Sequence, residues 1–488
     1  MNWTGQITYY TEKILSRILM VASEATPLVK TGGLADVVGS LPKALREQGH
    51  EVAVVLPRYA VISLDGAVRV WDRLTVHVGA RSLSCSLWEK IVNGVRYFLV
   101  DCPALFDRPG LYNAGGRDYL DNHVRFAAFC HGALGVLRNL FNADVIHLHD
   151  WQAALCATFL RTRYAIDPQF SRVKIVYTIH NLDYQGRFTA GQAAELGLDA
   201  GLMQPAFLEF FGDINFMKGG IIFGDAVTTV SPRYAREIQT PEFGSGLDGL
   251  LRANVHKLSG ILNGCDYDEW DPRNDTLIAR RFDENHPEGK RDCKLDLLFS
   301  LGLEEENMDR PLLGMVTRLA RQKGIDLFME IAGELLSEDD VCLAVLGSGD
   351  PAHEDFIRRL AVDFPGRVAG HIGYNDKLAH QIEAGADIFL MPSRFEPCGL
   401  NQRYSLRYGT VPVVRATGGL DDTVDAKTGY KFSGYAAEDF LAAIRLALNE
   451  FRLDSKAWKR RMRLGMAQDF SWGASAAGYA ELYRRLLG

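Results

Sequence analysis

Two turns in this chain carry the letters T-G-G-L, at residues 31–34 and 417–420, and each could seat a phosphate. Glycines let a backbone approach a ligand closely, and a helix that follows offers N–H donors to an anion. In the first turn Lys30 precedes Gly32 and Gly33 and adds a positive charge. No G-K-[ST] closes the loop and no G-x-G-x-x-G opens it, so neither common phosphate signature applies. Locally, an ordinary tight turn beside a solvated lysine accounts for it equally well. In the second turn Thr417, Gly418 and Gly419 follow an apolar run. Arg318 and Lys323, five residues apart ahead of Gly324, are suited to neutralising a diphosphate leaving group; a pair of surface cations is the plainer reading. The segment PSRFEPCGL, residues 392–400, adds a carboxylate, Glu396, next to an arginine. There it could hold sugar hydroxyls or stabilise positive charge at an anomeric carbon. Cys398, in the same segment, has no general base at a recognisable spacing, so it reads as a packed, ligand-adjacent cysteine.

Three further groups need placing. His147, His149 and Asp150 form an H-x-H-D run before Trp151, and His180 with Asn181 follows another apolar stretch. Alternation puts His147 and His149 on one face of a strand, but no third metal ligand is evident, which favours core or substrate-contacting histidines. Residues 347–352 match G-x-G-x-x-A. They follow the second strand of a series rather than opening it, so turn geometry explains their glycines better than a dinucleotide does. The eight cysteines contain no C-x-x-C pair, which fits a reducing compartment.

These residues cluster where short apolar runs end. Residues 17–22, 52–56, 97–100, 145–148, 174–178 and 226–230 read as strands, as do 312–316, 341–346, 367–371, 387–391 and 411–414. Helical periods lie between them. Leu34, Val37, Val38, Leu41 and Leu45 form one apolar stripe, and Gly49 ends that helix. The pattern is α/β: two series of parallel strands, each a doubly wound sheet, joined through a charged, turn-rich stretch at 263–310. The expected division is 1–262, with 1–16 as an extension, then 263–465, then a closing helix at 466–488. In such folds ligands bind at strand C-termini, so two sheets facing each other would line a cleft. With 488 residues, 47% hydrophobic and 24% charged, wholesale disorder is excluded. A net charge of −7 argues against nucleic acid as a partner. No apolar run approaches the length of a membrane span, and residues 1–17 are too polar for a secretory core.

Taken together, the motifs resemble the bacterial glycogen synthases and plant starch synthases. The resemblance is carried by KTGGLADVVGSLPKAL (30–45), HDW (149–151), YTIHNLDYQG (177–186), VSPRYAREIQTPEFGSGLDG (230–249), ILNG (261–264), TRLARQKGID (317–326), PSRFEPCGL (392–400) and TGGLDDTV (417–424). It implies a GT-B-type fold with two Rossmann-like domains facing a deep cleft: an acceptor-side N-terminal domain, a nucleotide-sugar-binding C-terminal domain, and a final helix crossing back. On that helix Ala477, Tyr479, Leu482 and Leu486 are the expected packing positions. The implied activity is retaining transfer of glucose from ADP-glucose to the 4-hydroxyl of an α-1,4-glucan such as glycogen, without a metal or other cofactor. UDP-glucose remains the alternative donor, and a catalytically silent binding relative the alternative function. A nicotinamide enzyme resting on 347–352 leaves the paired glycine turns unexplained.

Carried over residue by residue, Lys30, Gly32 and Gly33 would contact the donor diphosphate, with Asp36 also on the substrate-binding side. Arg318 and Lys323 would offset charge on leaving ADP. Glu396 would hold the transferred glucose, with Cys398, Gly399 and Leu400 lining the sugar pocket. Thr417, Gly418 and Gly419 would approach the phosphates, and Tyr374 would stack on the nucleobase. His180 would sit over the reacting sugar with Asn181 beside it, Asp150 near the acceptor, and Asn263 near the hinge. The resemblance also implies a bacterial cytoplasm, since residues 1–16 are short for a transit peptide. Four positions depart from the family pattern: Leu120 for a proline, Arg233 for a threonine, Cys265 for a small aliphatic residue, and Arg403 for an aliphatic residue or methionine. A charge at 403 must reach solvent or find a partner.

Overall fold

The computed structural model describes residues 15–488; residues 1–14, most of the expected extension, lie outside the described residues. The chain divides into two compact units. The first comprises the described residues up to Thr229, then Ile238–Ser259 and Trp472–Gly488. The second comprises Val230–Glu237 and Gly260–Ser471.

In the first unit the strands Arg17–Val21, Glu51–Pro57, Val95–Asp101, Val145–His149, Lys174–Ile179 and Ala226–Thr229 form the parallel part of a nine-stranded sheet. Chain order runs outward from Arg17–Val21 in one direction through Glu51–Pro57 and Val95–Asp101. It then reverses through Val145–His149, Lys174–Ile179 and Ala226–Thr229. That reversal is the switch point of a doubly wound sheet, where strand C-termini splay and leave room for a ligand. The strands are apolar on both faces because helices cover both sides: Ile18, Leu19, Met20 and Val21 are fully buried. The helix Gly33–Glu47 presents Leu34, Val37, Val38, Leu41 and Leu45 to this core and ends ahead of Gly49, whose φ of 92° suits glycine.

The antiparallel pair Val68–Val78 and Arg81–Val92 extends the sheet edge and is absent from the sequence expectation. Its outer strand buries only Val76 and Val78, so the alternation that announces a half-buried strand is missing. The closing helix is Trp472–Leu487, packed against Gly33–Glu47. Its buried positions are Trp472, Ser475, Ala476, Tyr479, Leu482 and Tyr483. Tyr479 and Leu482 agree with the expectation. Ala477 is exposed and Leu486 only half-buried, because the inward face lies one residue toward the N-terminus, at Ala476, and includes Tyr483.

The second unit holds a six-stranded sheet. Its spatial order is Val368–Ile372, Cys342–Gly347, Leu312–Val316, Ile388–Met391, Val411–Arg415 and Tyr430–Phe432, all parallel. In chain order this is 3-2-1-4-5-6, the doubly wound nucleotide-binding arrangement, with its switch point between Leu312–Val316 and Ile388–Met391. The glycines of 347–352 serve geometry. A Cβ on Gly347 would stand 1.9 Å from the Thr317 carbonyl oxygen, and one on Gly349 2.4 Å from that of Leu319. Asp350 then caps the helix Pro351–Asp363.

The expected division fails at one segment. Residues 230–237 belong to the second unit, although the sequence places them in the first. The cause is polar. Ser231 Oγ donates to Asp422 at 2.5 Å, and Glu237 accepts from Thr417 Oγ1 and from the Gly418 amide at 3.0 Å. The other boundaries fall at Gly260 and Trp472 rather than at 263 and 466.

Candidate functional site

In the second unit the candidate residues emerge from the two strands flanking the switch point. After Leu312–Val316 the chain passes Arg318, makes one short turn at Arg321–Lys323, and bends at Gly324 with φ of 75°. A Cβ there would meet the Pro392 carbonyl oxygen at 2.0 Å, so only glycine lets this turn lie against the segment following Ile388–Met391. That packing brings Lys323 Nζ to within 2.5 Å of Glu396 Oε2, which also accepts from Ser393 Oγ at 3.1 Å. Glu396 is 6% exposed, and removing one partner of so buried a pair leaves an uncompensated charge. Arg318 stays nearer solvent and donates to Gln322 Oε1 at 3.0 Å. The helix that follows, Asn401–Arg407, begins five residues after Glu396.

The turn at 417–419 closes on the same loop. The Gly419 amide donates to the Glu396 carbonyl at 3.0 Å, and a Cβ on Gly419 would lie 1.9 Å from the Cys398 carbonyl oxygen. Gly418, with φ of 45°, would place a Cβ 1.9 Å from the Glu396 carbonyl oxygen. Thus Glu396, Cys398, Gly399, Thr417, Gly418 and Gly419 form one block, and Lys323 reaches into it. Tyr374 is 87% exposed after Val368–Ile372, with its hydroxyl bonded to Asp376 at 3.0 Å. Asn263 is buried, and its carbonyl accepts from Arg403. Of the two expected outcomes Arg403 takes the second: it is fully buried and finds its partners in carbonyls and a thiol rather than in a carboxylate. Arg233, by contrast, pairs with Glu237 at 3.0 Å.

In the first unit the T-G-G-L turn follows Arg17–Val21. Glu24, 3% exposed, accepts from the amides of Thr31 and Gly32 and from Thr31 Oγ1, and Tyr112 also donates to it. The amides of Thr31 and Gly32 therefore already have an acceptor within the chain, while the helix itself starts beyond them, at Gly33. Lys30 lies outside this arrangement, exposed and paired with Asp36 at 2.7 Å. Gly32 and Gly33 have open space where a Cβ would stand, so the chain's own packing does not demand glycine there.

Asp150 follows Val145–His149 with φ of 56°, a left-handed conformation that an aspartate adopts at a cost of about 1–3 kcal/mol. It accepts from the amides of His180, at 2.8 Å, and of Asn181. With no cation against it, burial pushes its carboxyl up to about 7. His180 Nε2 faces His149 Nδ1 at 3.0 Å, and burial holds His180 down to about 3, hence neutral. His147 is committed on both nitrogens, to Tyr483 at 2.7 Å and Thr178 at 2.6 Å, which removes H-x-H as a metal pair. His149 Nε2 is buried without a partner.

Sequence reasoning missed Glu24 and Glu237. Glu24 belongs to none of the quoted motifs and Glu237 stands inside 230–249 with no spacing that marks its role, so only the glycine amides they receive identify them, whereas His149 was legible within H-x-H-D. One trio in the second unit, Glu269, Asp376 and His380, could bring ligand atoms within 4.8 Å of one another. Its two carboxylates are exposed, His380 Nδ1 already bonds to Asp275 at 2.8 Å, and Asp376 already receives the Tyr374 hydroxyl. Among the described residues no helix is long and apolar enough to cross a membrane.

Comparison with known proteins gives consistent results. Residues 17–253 match the family model "Starch synthase catalytic domain", and residues 303–464 match "Glycosyl transferases group 1". The chain is 47% identical to the glycogen synthase of Koribacter versatilis, over 96% of this chain and 98% of that one. It is 49% identical to the glycogen synthase of Anaeromyxobacter dehalogenans, over 96% and 99%. Among solved structures, the catalytic domain of starch synthase IV from Arabidopsis thaliana, bound to ADP and acarbose, superposes with a TM-score of 0.87 at 33% identity, covering 97% and 99% of the two chains. A sucrose-phosphate synthase from Thermosynechococcus elongatus shares the fold, with a TM-score of 0.60 at 19% identity over 96% and 99%.

Proposed function

This chain belongs to the family of bacterial glycogen synthases and plant starch synthases, glycosyltransferases of the GT-B fold, and from that membership we propose its reaction in detail. The enzyme is a hexosyltransferase. It transfers glucose from ADP-glucose to the 4-hydroxyl at the non-reducing end of an α-1,4-glucan, with retention at the anomeric carbon. ADP as the nucleotide is supported by the ADP bound to the starch synthase relative.

The chemistry follows from the block around Glu396. The bond from the anomeric carbon to the β-phosphate oxygen breaks as the acceptor oxygen attacks from the same face. The proton of the 4-hydroxyl passes to the leaving phosphate, and ADP departs. Arg318 and Lys323 carry the charge that grows on ADP, a task in which fixed donors outperform water because they need no reorganisation. Glu396 holds the glucose hydroxyls and stabilises the oxocarbenium-like carbon. The Lys323–Glu396 pair is the observation that carries this reading: each holds the other in place until the sugar and phosphate take over those contacts. Because side-chain cations supply the charge, the reaction needs no metal ion. Lys30, Gly32 and Gly33 contact the diphosphate, Tyr374 the adenine, and Asp150 and His180 the reacting sugar and acceptor. The bacterial relatives support a cytoplasmic location.

The test is incorporation of labelled glucose into glycogen from ADP-glucose or UDP-glucose, in buffer containing a chelator. Incorporation from ADP-glucose alone is the expected result. Incorporation only from UDP-glucose would overturn the donor, dependence on added metal would overturn the charge argument, and none from either would favour a silent binding relative.

A further inference from the structure

Arg403 lies in the short helix Asn401–Arg407 with none of its surface exposed. Its guanidinium donates to the carbonyl of Asn263, to Cys398 Sγ at 3.1 Å, and to the carbonyl of Gly399 at 2.6 Å from Nη2 and 3.2 Å from Nε. None of these partners is acidic. The groups facing it also include the thiol of Cys265 and the phenols of Tyr267 and Tyr404. A guanidinium does not lose its proton in a protein, so this is a buried positive charge held by dipoles alone.

Its position gives that charge a use. Cys398 and Gly399 are clamped from the other side by the turn at 417–419, where a Cβ on Gly419 would stand 1.9 Å from the Cys398 carbonyl oxygen. Arg403 therefore sits directly behind the loop that carries Glu396. By drawing the Gly399 carbonyl toward itself it also turns the Leu400 amide the opposite way, since the two are antiparallel in a trans peptide. The balance of charge is informative as well. Lys323 is neutralised by Glu396, whereas Arg318 is hydrogen-bonded to a neutral glutamine near solvent. Arg403 is then the buried cation of this loop without a counter-ion, and a charge removed from water acts on its surroundings with little screening.

We propose that Arg403 is a positioning residue of the donor site: it orients the Cys398–Gly399 loop, and its charge is balanced only when the anionic diphosphate of the donor arrives. This inference rests on the ADP-glucose reading above. The arrangement is costly in the empty protein and is relieved by the ligand, which is the reverse of an ordinary structural ion pair.

The experiment compares the full chain with R403M, R403Q and R403K by thermal unfolding with and without ADP, by ADP titration, and by KM and kcat for ADP-glucose. R403M is expected to melt at or above the wild-type temperature without ligand, since it removes an unbalanced buried charge. Its ADP affinity is expected to fall about tenfold, equivalent to about 1.4 kcal/mol, with a smaller ADP-induced rise in melting temperature and a raised KM. R403K should recover most of the affinity and little of the loop order, so its kcat stays low. R403Q, which keeps hydrogen bonding without charge, should resemble R403M in affinity; if R403M does not fold, R403Q against R403K decides. A lower melting temperature with ADP affinity within about twofold of wild type, in R403M or R403Q, would assign Arg403 a purely structural role and overturn the proposal. A wild-type chain that neither binds ADP nor transfers glucose would instead sink the donor reading.

Discussion

The two T-G-G-L turns are built from the same four letters and receive the same kind of partner, yet they do different work. In the first unit Glu24 accepts from Thr31 Oγ1 and from the Thr31 and Gly32 amides. In the second Glu237 accepts from Thr417 Oγ1 and the Gly418 amide. Both carboxylates are nearly fully buried, and both stand where an anion would sit at a helix start. The difference lies on the other face of each turn. Gly418 and Gly419 press against backbone carbonyls, whereas Gly32 and Gly33 face open space. One pair of glycines is demanded by the fold. The fold makes no such demand on the other, the pair we propose for the diphosphate.

The acids at the strand ends show a parallel contrast. Glu396 has Lys323 at 2.5 Å and stays in a charge-balanced pair. Asp150 has only backbone amides, and burial pushes it up to about 7. An acid with no cation beside it, raised this far by burial, changes charge state near neutrality.

The largest effect expected comes from breaking the paired acid. Glu396→Ala should lower kcat by about 10²–10³ while ADP binding changes little, measured by glucose incorporation alongside ADP titration. Near-normal turnover would remove Glu396 from the reaction. Next in size is Gly419→Ala, which forces a methyl group into the Cys398 carbonyl and should cost about 3 kcal/mol of stability, read by denaturant unfolding. A stable Gly419→Ala variant would mean that the second turn is as open as the first.

Asp150→Asn probes the unpaired acid. The folded carboxyl titrates higher than its ordinary value of 3.8, so the fold favours the protonated form. Its contribution to stability is fully present below pH 3.8 and is lost as pH rises through 7. The Asn variant should therefore gain on the wild type between about pH 4 and 7 and hold a constant lead above that. A difference that stays flat across this range would show that Asp150 does not titrate as described. The smallest effect sharpens the contrast between the turns: Gly32→Ala should alter stability by less than about 0.5 kcal/mol, yet raise KM for ADP-glucose. If it unfolds the protein instead, the first turn is structural as well.

Much of this arrangement was legible in the chain. Buried parallel strands announce themselves as unbroken apolar runs, and the residues after them are candidates by position alone, which located Lys30, Asp150, His180, Arg318, Lys323 and Glu396. Three features were not legible, for different reasons. The hairpin Val68–Val78 and Arg81–Val92 buries too little to leave an alternating pattern. Glu24 lies 7 or 8 residues and Glu237 180 or 181 from the turn groups they receive, and such pairings have no local signature. Arg403 reads as a misplaced surface charge until the carbonyls around it are seen.

The sequence by itself determined the sheet class, the family, the inward face of Gly33–Glu47 and the identity of the charged groups, because periodicity and short motifs are local properties of the chain. The tertiary structure decided which of those groups are balanced. Lys323 meets Glu396 across 73 residues and Arg403 meets Asn263 across 140, and residues 230–237 join the second unit through Ser231 and Glu237. A charge's worth depends on burial and on the nearest opposite charge, and both are set only when distant segments are packed together.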